Sequence, residues 1–528
     1  MPCIRPPLFR LYEVVCSFAR VFAECYNQNM KKIILVQPKN GLNDTIYAPL
    51  GLISLAAYIR PAFQSKIIDL RFDSPKYLFN QIKETKPLIV GFSLLTGSCI
   101  KQVIYACKEI KEKYPKVKTV VGGIHPTFFP EQTLTNPYID FVVINEGEKT
   151  LLGLLNAIEG KINLNQIANL GWKDKKKNIH INHGMEEFIP MDELPTPAWD
   201  LVDVERYVRV LSSAPDEWVA PGESPSNRVL NMYSSKGCPF PCSFCYNLFF
   251  NRRQWRSRNV EKTVAEFEML NKKYGINYFI VHDDNFVVDK KRALKIAGLI
   301  KQKGMKIKYS IDARIDAFDY EFLKRLKESG MCEIRVGCES GSNRVLNEVI
   351  QKRITKEQTL KAVQVAKDLD LKLILSFVIG WPTETIAERQ ETIDLILQIQ
   401  KINPKAAIYP LWVYIPYPGT NLFKQAVQLG FKEPQNLEAW GNYFWSKAHI
   451  PWLKNPREYE MIHELSSFIW YNKTWGGLGN HSPRSVLKFM FIKCFRPLLL
   501  PRFKYNYWKF PIEAKMLIWL KNHIKRVV

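Results

Sequence analysis

A chain of 528 residues, 46% hydrophobic and 24% charged, is too long for one ordinary core and too apolar to stay unfolded, so two or three packed domains are expected. The formal net charge of +24 favours an anionic partner, whether nucleic acid, an acidic membrane surface or an anionic substrate. No uninterrupted apolar run reaches about 18 residues, so no transmembrane helix is predicted. The 11 cysteines form no paired framework, which points to a reducing, oxygen-poor cytoplasmic setting.

Residues 1–29 interrupt their apolar positions with Arg5, Arg10, Glu13, Arg20 and Glu24 and lack the apolar centre of a secretory signal. They read as an N-terminal extension, either a loosely docked helix or an upstream start. From residue 30 to 160, strand-like and helix-like runs alternate. Strands are predicted at 32–37, 66–70, 88–93, 117–121 and 141–145, with helices at 49–61, 77–85, 98–114 and 149–159. This is a doubly wound α/β pattern with a parallel sheet. Ligands of such sheets bind beyond the carboxyl ends of the strands. The residues there are Pro49-Leu50-Gly51, Ser93 to Gly97 with Thr96 among them, Gly122-Gly123-Ile124-His125-Pro126-Thr127, and Glu146-Gly147-Glu148. By pattern alone, a nucleotide, a flavin or a phosphorelay role fits equally well. His125 reads as a capping or packing residue before a metal ligand, since no second metal-type residue stands at ligand spacing.

Residues 161–227 read as a linker. Lys173 to Lys177 is a solvated hairpin or loop, Leu194-Pro195-Thr196-Pro197 is extended, and Ser212 to Ser226 is loop-like. Six strand-like runs then recur through residues 228–430, at 229–233, 278–281, 306–311, 333–336, 373–379 and 408–414, each followed by a helical run. Six βα units make an incomplete barrel, whose chemistry belongs at the carboxyl ends of its strands.

The first of those ends carries the sharpest signal in the chain, Lys236-Gly237-Cys238-Pro239-Phe240-Pro241-Cys242-Ser243-Phe244-Cys245-Tyr246. Three cysteines among prolines and a glycine make a poor core pattern. Three thiolates on one loop can hold three irons of a cubane cluster and leave the fourth open to a substrate. After the second strand, His282-Asp283-Asp284-Asn285 suits acid/base groups, metal ligands, a positioned hydrogen-bond site or a helix-capping loop. After the third, Arg314 suits either a carboxylate clamp or a structural salt bridge. Gly337-Cys338-Glu339-Ser340-Gly341, Gly380-Trp381-Pro382-Thr383-Glu384-Thr385 and Pro416-Tyr417-Pro418-Gly419-Thr420 follow the later strands.

The cysteine loop resembles the cluster loop of the radical S-adenosylmethionine (SAM) superfamily. The resemblance implies a 4Fe–4S cluster on Cys238, Cys242 and Cys245, with SAM on the open iron and Phe244 against the adenine. It implies that Asp283 or Asp284 supports the SAM amino group and that Glu339 holds the ribose, with Ser340 nearby. It also places Arg314 and Gly380 among the SAM contacts. The Pro-Leu-Gly, Gly-Gly-x-His-Pro and Glu-Gly-Glu turns of the first domain resemble the cobalamin-binding domain that precedes some radical SAM domains. That implies cobalamin contacts from Pro49, Leu50, Gly51, Ser93, Thr96, Gly122, Gly123, His125, Glu146 and Gly147. The Asp-x-His-x-x-Gly motif of other cobalamin proteins is absent, so no histidine of that motif ligates cobalt.

Residues 431–528 carry no family motif. From Arg484 to Val528 there are 11 Lys/Arg and one acid, Glu513, interleaved with Trp508 and Trp519. A helix is predicted over 511–528. This region reads as a helical cap with a basic face, ahead of a surface for a membrane or lipid-like substrate, with nucleic acid last.

The resemblances together imply a cobalamin-dependent radical SAM enzyme, foremost a C-methyltransferase acting on an unactivated carbon. Radical cyclisation or rearrangement with the same cofactors is the alternative. A methylthiotransferase ranks lower, because the first domain has only Cys99 and Cys107 and no second cysteine triplet. A non-catalytic cobalamin sensor ranks lowest. The expected partners are a small, lipid-like substrate and an electron donor such as a flavodoxin or ferredoxin, with the tail suited to peripheral membrane contact.

Overall fold

A computed structural model describes residues 30–41, 46–184, 187–213, 227–443, 449–470 and 496–508. The expected N-terminal extension, most of the 212–226 loop and the 511–528 helix lie outside the described residues.

The first sheet is built from β1 (Lys32–Gln37), β2 (Gln64–Asp69), β3 (Ile89–Ser93), β4 (Lys118–Gly122), β5 (Phe141–Val143), β6 (Leu170–Lys173) and β7 (Ile179–Asn182). Its order is β2-β1-β3-β4-β5-β6-β7, parallel through β5 and antiparallel at the last two pairings. The residues Ile33, Ile34, Leu35 and Val36 of β1 are all buried. Alternate residues face opposite sides of a strand, so helices must cover both faces, as a parallel sheet requires. The chain leaves β1 to one side for β2 and returns on the other for β3, which opens a crevice at their carboxyl ends. The sheet continues past residue 160, for the lysine-rich stretch expected as linker is the turn of the β6–β7 hairpin that forms its edge. Asp174 organises that turn by accepting from the backbone N–H groups of Lys176 and Asn178 at 2.8 and 2.9 Å.

The second sheet contains β8 (Val229–Met232), which is followed by a small hairpin of β9 (Ser235–Lys236) and β10 (Arg256–Ser257). The sheet goes on through β11 (Tyr278–Val281), β12 (Lys308–Asp312), β13 (Met331–Glu339), β14 (Lys372–Ile379), β15 (Ala407–Ile408) and β16 (Trp412–Val413). All pairings of this larger sheet are parallel, in the order β8-β11-β12-β13-β14-β15. This is the expected incomplete barrel. The predicted sixth strand is split into β15 and β16, which pair separately with β14. Pro410 lies between them and has no N–H to continue the ladder.

The two sheets share a buried joint. Asn231 of β8 bonds both the N–H and the carbonyl of Ala48, at 2.8 and 3.1 Å, and the Ser54 and Tyr233 hydroxyls meet at 2.9 Å. Residues of the 161–227 stretch fasten onto the barrel. Trp199 donates to Glu266 at 2.9 Å, and Phe188 lies between the guanidinium groups of Arg252 and Arg256, at 4.0 and 3.8 Å from its ring centre.

The described part of the carboxyl-terminal region packs inward. Helix Pro456–Ile469 lies against β16, and the Arg389 guanidinium of the barrel reaches both Glu458 and Asn506. Trp508 stands edge-on to Phe503, ring centres 4.9 Å apart. Among the described residues no helix is long and apolar enough to cross a membrane.

Candidate functional site at the joint of two cavities

Two cavities open at the carboxyl ends of the sheets. One, of about 560 Å³, is enclosed by the cysteine loop and the barrel strands. The other, of about 320 Å³, lies between the first sheet and the back of the same loop. His282 and Asp284 line both.

The cysteine loop is set by contacts of its flanks. Gly237 has φ +83, and a Cβ there would approach the Gln254 carbonyl oxygen to 2.0 Å, so only glycine fits at this position. Ser243 fastens the middle of the loop, its N–H to the Ile350 carbonyl and its hydroxyl to the Val349 carbonyl, both at 2.9 Å. Cys238, Cys242 and Cys245 are all free and line the larger cavity. Burial pushes the Cys245 thiol up to about 12. Among the described residues no three Cys, His, Asp or Glu side chains close on a single ion. Three thiols spread round one cavity instead fit a cluster, in which each thiol takes its own iron.

The expected SAM contacts divide. Phe244 lines the cavity and packs against Trp381, ring centres 5.2 Å apart. Glu339 also lines it, from φ +68 at a register shift between β13 and β14. A bulge of this kind re-aims a side chain. The preceding glycine of the signature is needed for that aim, because a Cβ on Gly337 would fall 2.1 Å from the Glu339 carboxylate. Lys352 closes on Glu339 at 2.9 Å, with both side chains 9% exposed. A pair so buried holds its geometry only while both partners remain.

Other expected contacts are already engaged. Asp283 accepts from the N–H and hydroxyl groups of both Ser234 and Ser235, at 2.5 to 2.9 Å, and is 1% exposed. Its carboxylate is a strut under the loop, which leaves Asp284 as the more open of the pair for a ligand amine. The Arg314 fork is spent on Asp316 and the Lys352 carbonyl, both at 2.9 Å or less by their closest contacts, so it does not form an open carboxylate clamp. Phe240 lies flat against Arg314 at 3.7 Å, and a third nitrogen of the fork stands 3.8 Å from the Cys242 sulfur. Ser340 turns away from the cavity toward Thr392, at 3.2 Å. Gly380 does not line the cavity, and its carbonyl accepts from Trp452 at 2.9 Å. Sequence reasoning missed Tyr47, Asp312, Arg335, Lys352 and Tyr409, which line the larger cavity. For Asp312 and Arg335 the signal was available, since Asp312 directly follows one predicted barrel strand and Arg335 lies near the carboxyl end of the next.

In the smaller cavity, Gly51, Ser93, Gly122, Gly123, Glu146 and Gly147 of the expected cobalamin contacts are lining residues. Leu52, Leu55, Val120, Val143 and Leu151 make an apolar floor. A Cβ on Gly51 would meet no atom within 4 Å, so that glycine faces open space. Pro49 and Leu50 start the helix and do not line the cavity. Thr96 and His125 bond each other at 3.0 Å away from it, and His125 packs on Trp440. Burial lowers the His125 imidazole to about 4, so it stays neutral near pH 7.

The roof of the smaller cavity comes from the barrel and was not expected. Tyr233, Lys236, Tyr246, Phe250 and Asn251 supply it. Arg256 grips Glu146 bidentately at 2.8 and 2.9 Å, and Lys236 reaches Glu146 at 3.2 Å. These pairs hold the Glu146 carboxyl below its ordinary range despite burial. An apolar floor with glycines and a polar roof fits a flat macrocycle edged with amides. His282 completes the joint. Its ring stands edge-on to Tyr47 at 4.4 Å, and burial with the nearby Arg335 charge lowers it to about 3. Its buried Nε2 meets no hydrogen-bond partner among the described residues.

Comparison with known proteins follows the same division. Residues 232–396 match the model of the radical SAM superfamily, and residues 44–155 match that of the B12 binding domain. An uncharacterized methyltransferase of Pyrococcus horikoshii is 34% identical over 404 residues, 75% of this chain and 83% of that protein. Cytidylyl-2-hydroxyethylphosphonate methyltransferase of Streptomyces wedmorensis is 26% identical over 77% of this chain and 83% of its own length. The structure of the cobalamin-dependent radical enzyme OxsB, with aqua-cobalamin and SAM bound, superposes with a TM-score of 0.69 at 19% identity. It covers 94% of this chain and 75% of that one, a likeness of fold.

Proposed function

This chain belongs to the radical SAM superfamily and carries a B12 binding domain ahead of its barrel, and on that premise we propose that it is a cobalamin-dependent C-methyltransferase acting on an unactivated carbon of a small molecule. The observation that carries the reading is the joint of the two cavities at His282 and Asp284. A substrate there has the cysteine loop on one side and the B12 binding domain on the other. Both methyltransferases compared above are similar to this chain over about three quarters of its length.

When bound, the cluster supplies the electron that splits SAM to a carbon radical, and cobalamin carries the methyl group. The chain's own residues do the placing. Cys238, Cys242 and Cys245 would hold the cluster through their thiolates. Glu339, held by Lys352, is placed to accept from the ribose, and Phe244 presents its ring to the adenine. Arg314 lays positive charge 3.8 Å from the Cys242 sulfur. On the other side, Gly51, Gly122, Gly123 and Gly147 admit the corrin to the sheet ends, while Lys236 and Arg256 pin the loop to Glu146. A flavodoxin or ferredoxin serves as electron donor in this scheme. A lipid-like substrate or a membrane contact would draw on the tail beyond Trp508, since the described part of the tail packs inward.

The test is product analysis. The protein is purified without oxygen, its cluster reconstituted, and cobalamin, SAM, a reductant and a cell extract added. 5′-Deoxyadenosine and S-adenosylhomocysteine are expected to rise together when extract is added, with label from methyl-labelled SAM in a new product. 5′-Deoxyadenosine rising alone would replace methylation with cyclisation or rearrangement.

A further inference from the structure

Asp284 does more than line two cavities. One of its carboxylate oxygens accepts from the Gly237 N–H at 2.7 Å, one residue before Cys238. The other accepts from the Tyr246 hydroxyl at 2.9 Å, one residue after Cys245. A single carboxylate at the end of β11 therefore ties both flanks of the cysteine loop. Tyr246 in turn lays its ring along the smaller cavity beside Phe250, ring centres 5.9 Å apart. The side chain that shapes that cavity and the carboxylate that faces the larger one are joined by one hydrogen bond.

A ligand that displaces the Tyr246 ring moves its hydroxyl, and with it the carboxylate holding the cysteines in place. A ligand amine drawn to Asp284 acts on the same carboxylate. Coupling between sites requires a contact that each ligand biases, and this bond is such a contact. His282, the other shared residue, has no hydrogen bond from Nε2 to the loop among the described residues. We infer that Tyr246 is a positioning residue whose hydrogen bond to Asp284 makes the binding of cobalamin and of SAM interdependent. This inference rests on the two cofactors binding as proposed above, and not on methyl transfer.

The experiment needs no substrate. The full chain with its cluster reconstituted is titrated with hydroxocobalamin, with and without saturating SAM, and the corrin absorbance is followed. In the wild type SAM is expected to change the hydroxocobalamin Kd by about five-fold or more, and hydroxocobalamin to change the SAM Kd by the same factor, as linkage demands. In Tyr246→Phe the ring stays and the bond is lost. Coupling should fall to within about two-fold of none, at unchanged iron content. Phe250→Leu, which lines the same cavity without touching Asp284, should weaken hydroxocobalamin binding and keep the coupling. A merely structural residue would shift both Kd values equally with and without the second ligand. The inference is overturned if the wild type shows no coupling or if Tyr246→Phe retains it. Should Tyr246→Phe lose iron, Asp284→Asn reads the same bond from its other end, and loss of iron in both makes the pair structural. Failure to bind hydroxocobalamin at all sinks the proposed cofactor use, whereas binding without coupling sinks this inference alone.

Discussion

The two cavities are built by opposite means. The smaller is shaped by what is missing, as Gly51 faces open space and Gly122 and Gly147 line the cavity beside an apolar floor. The larger is shaped by what is paired. Glu339 with Lys352, Asp312 with Arg335, and Asp283 with its serines are groups that bond one another. A cavity made by absence tolerates any ligand that fits its volume, until a side chain fills it. A cavity made by pairing fails when one partner is removed, because the other is left buried and uncompensated. The same cysteine loop walls both, so substitutions can separate them.

Cys238→Ser should have the largest effect and fall on one side only. Iron and sulfide content after reconstitution should drop and 5′-deoxyadenosine formation should reach background, while hydroxocobalamin is still retained. Loss of both cofactors together would show that the smaller cavity depends on the cluster and not only on the loop.

Gly51→Leu is the converse. Glycine 51 lies on helix Leu50–Ile59 and faces open space, so leucine adds bulk without a clash in the apo fold. Hydroxocobalamin affinity should fall about 100-fold, as a steric penalty of a few kcal/mol gives. Cluster content and the unfolding midpoint should not move.

The smallest effect is a pH dependence that sharpens the contrast. Glu384 lies behind Gly380, and burial pushes its carboxyl up to about 8 against the pull of the Gly380 N–H and Arg389. A carboxyl raised in the folded state contributes stability that is fully present below its unfolded range and is lost as pH rises through about 8. Glu384→Gln should flatten this alkaline limb, by at most about 1.4 kcal/mol per pH unit in denaturant titrations. His125, lowered to about 4 behind the smaller cavity, acts on the other limb, with stability lost as pH falls below the ordinary histidine range. An alkaline limb unchanged by Glu384→Gln would mean that the carboxyl is not neutral in the fold.

Much of this architecture is legible because its signals are local. Strand β1 reads as a buried parallel strand since four consecutive apolar residues leave it no solvent face. The cysteine triplet reads as a ligand loop since prolines and Gly237 exclude a core element. Less legible were the groups that pair across elements. Lys352 has no motif, and it matters because the turn after β13 brings it onto Glu339. Asp283 and Asp284 are adjacent in sequence and part company in the fold, one to the serines beneath the loop and one to Gly237 and Tyr246.

The sequence by itself determined the two sheets, their order along the chain, the cysteine loop and the glycines at the sheet ends, because each depends on periodicity or spacing within a few residues. Only the tertiary structure decided that Tyr233, Lys236, Tyr246 and Phe250 roof the cavity of the other domain, that His125 bonds Thr96 and packs on Trp440, and that Asp284 faces both cavities. Those outcomes depend on how two cores dock, and docking juxtaposes residues far apart in the chain whose side chains then compete for the same few hydrogen-bonding partners.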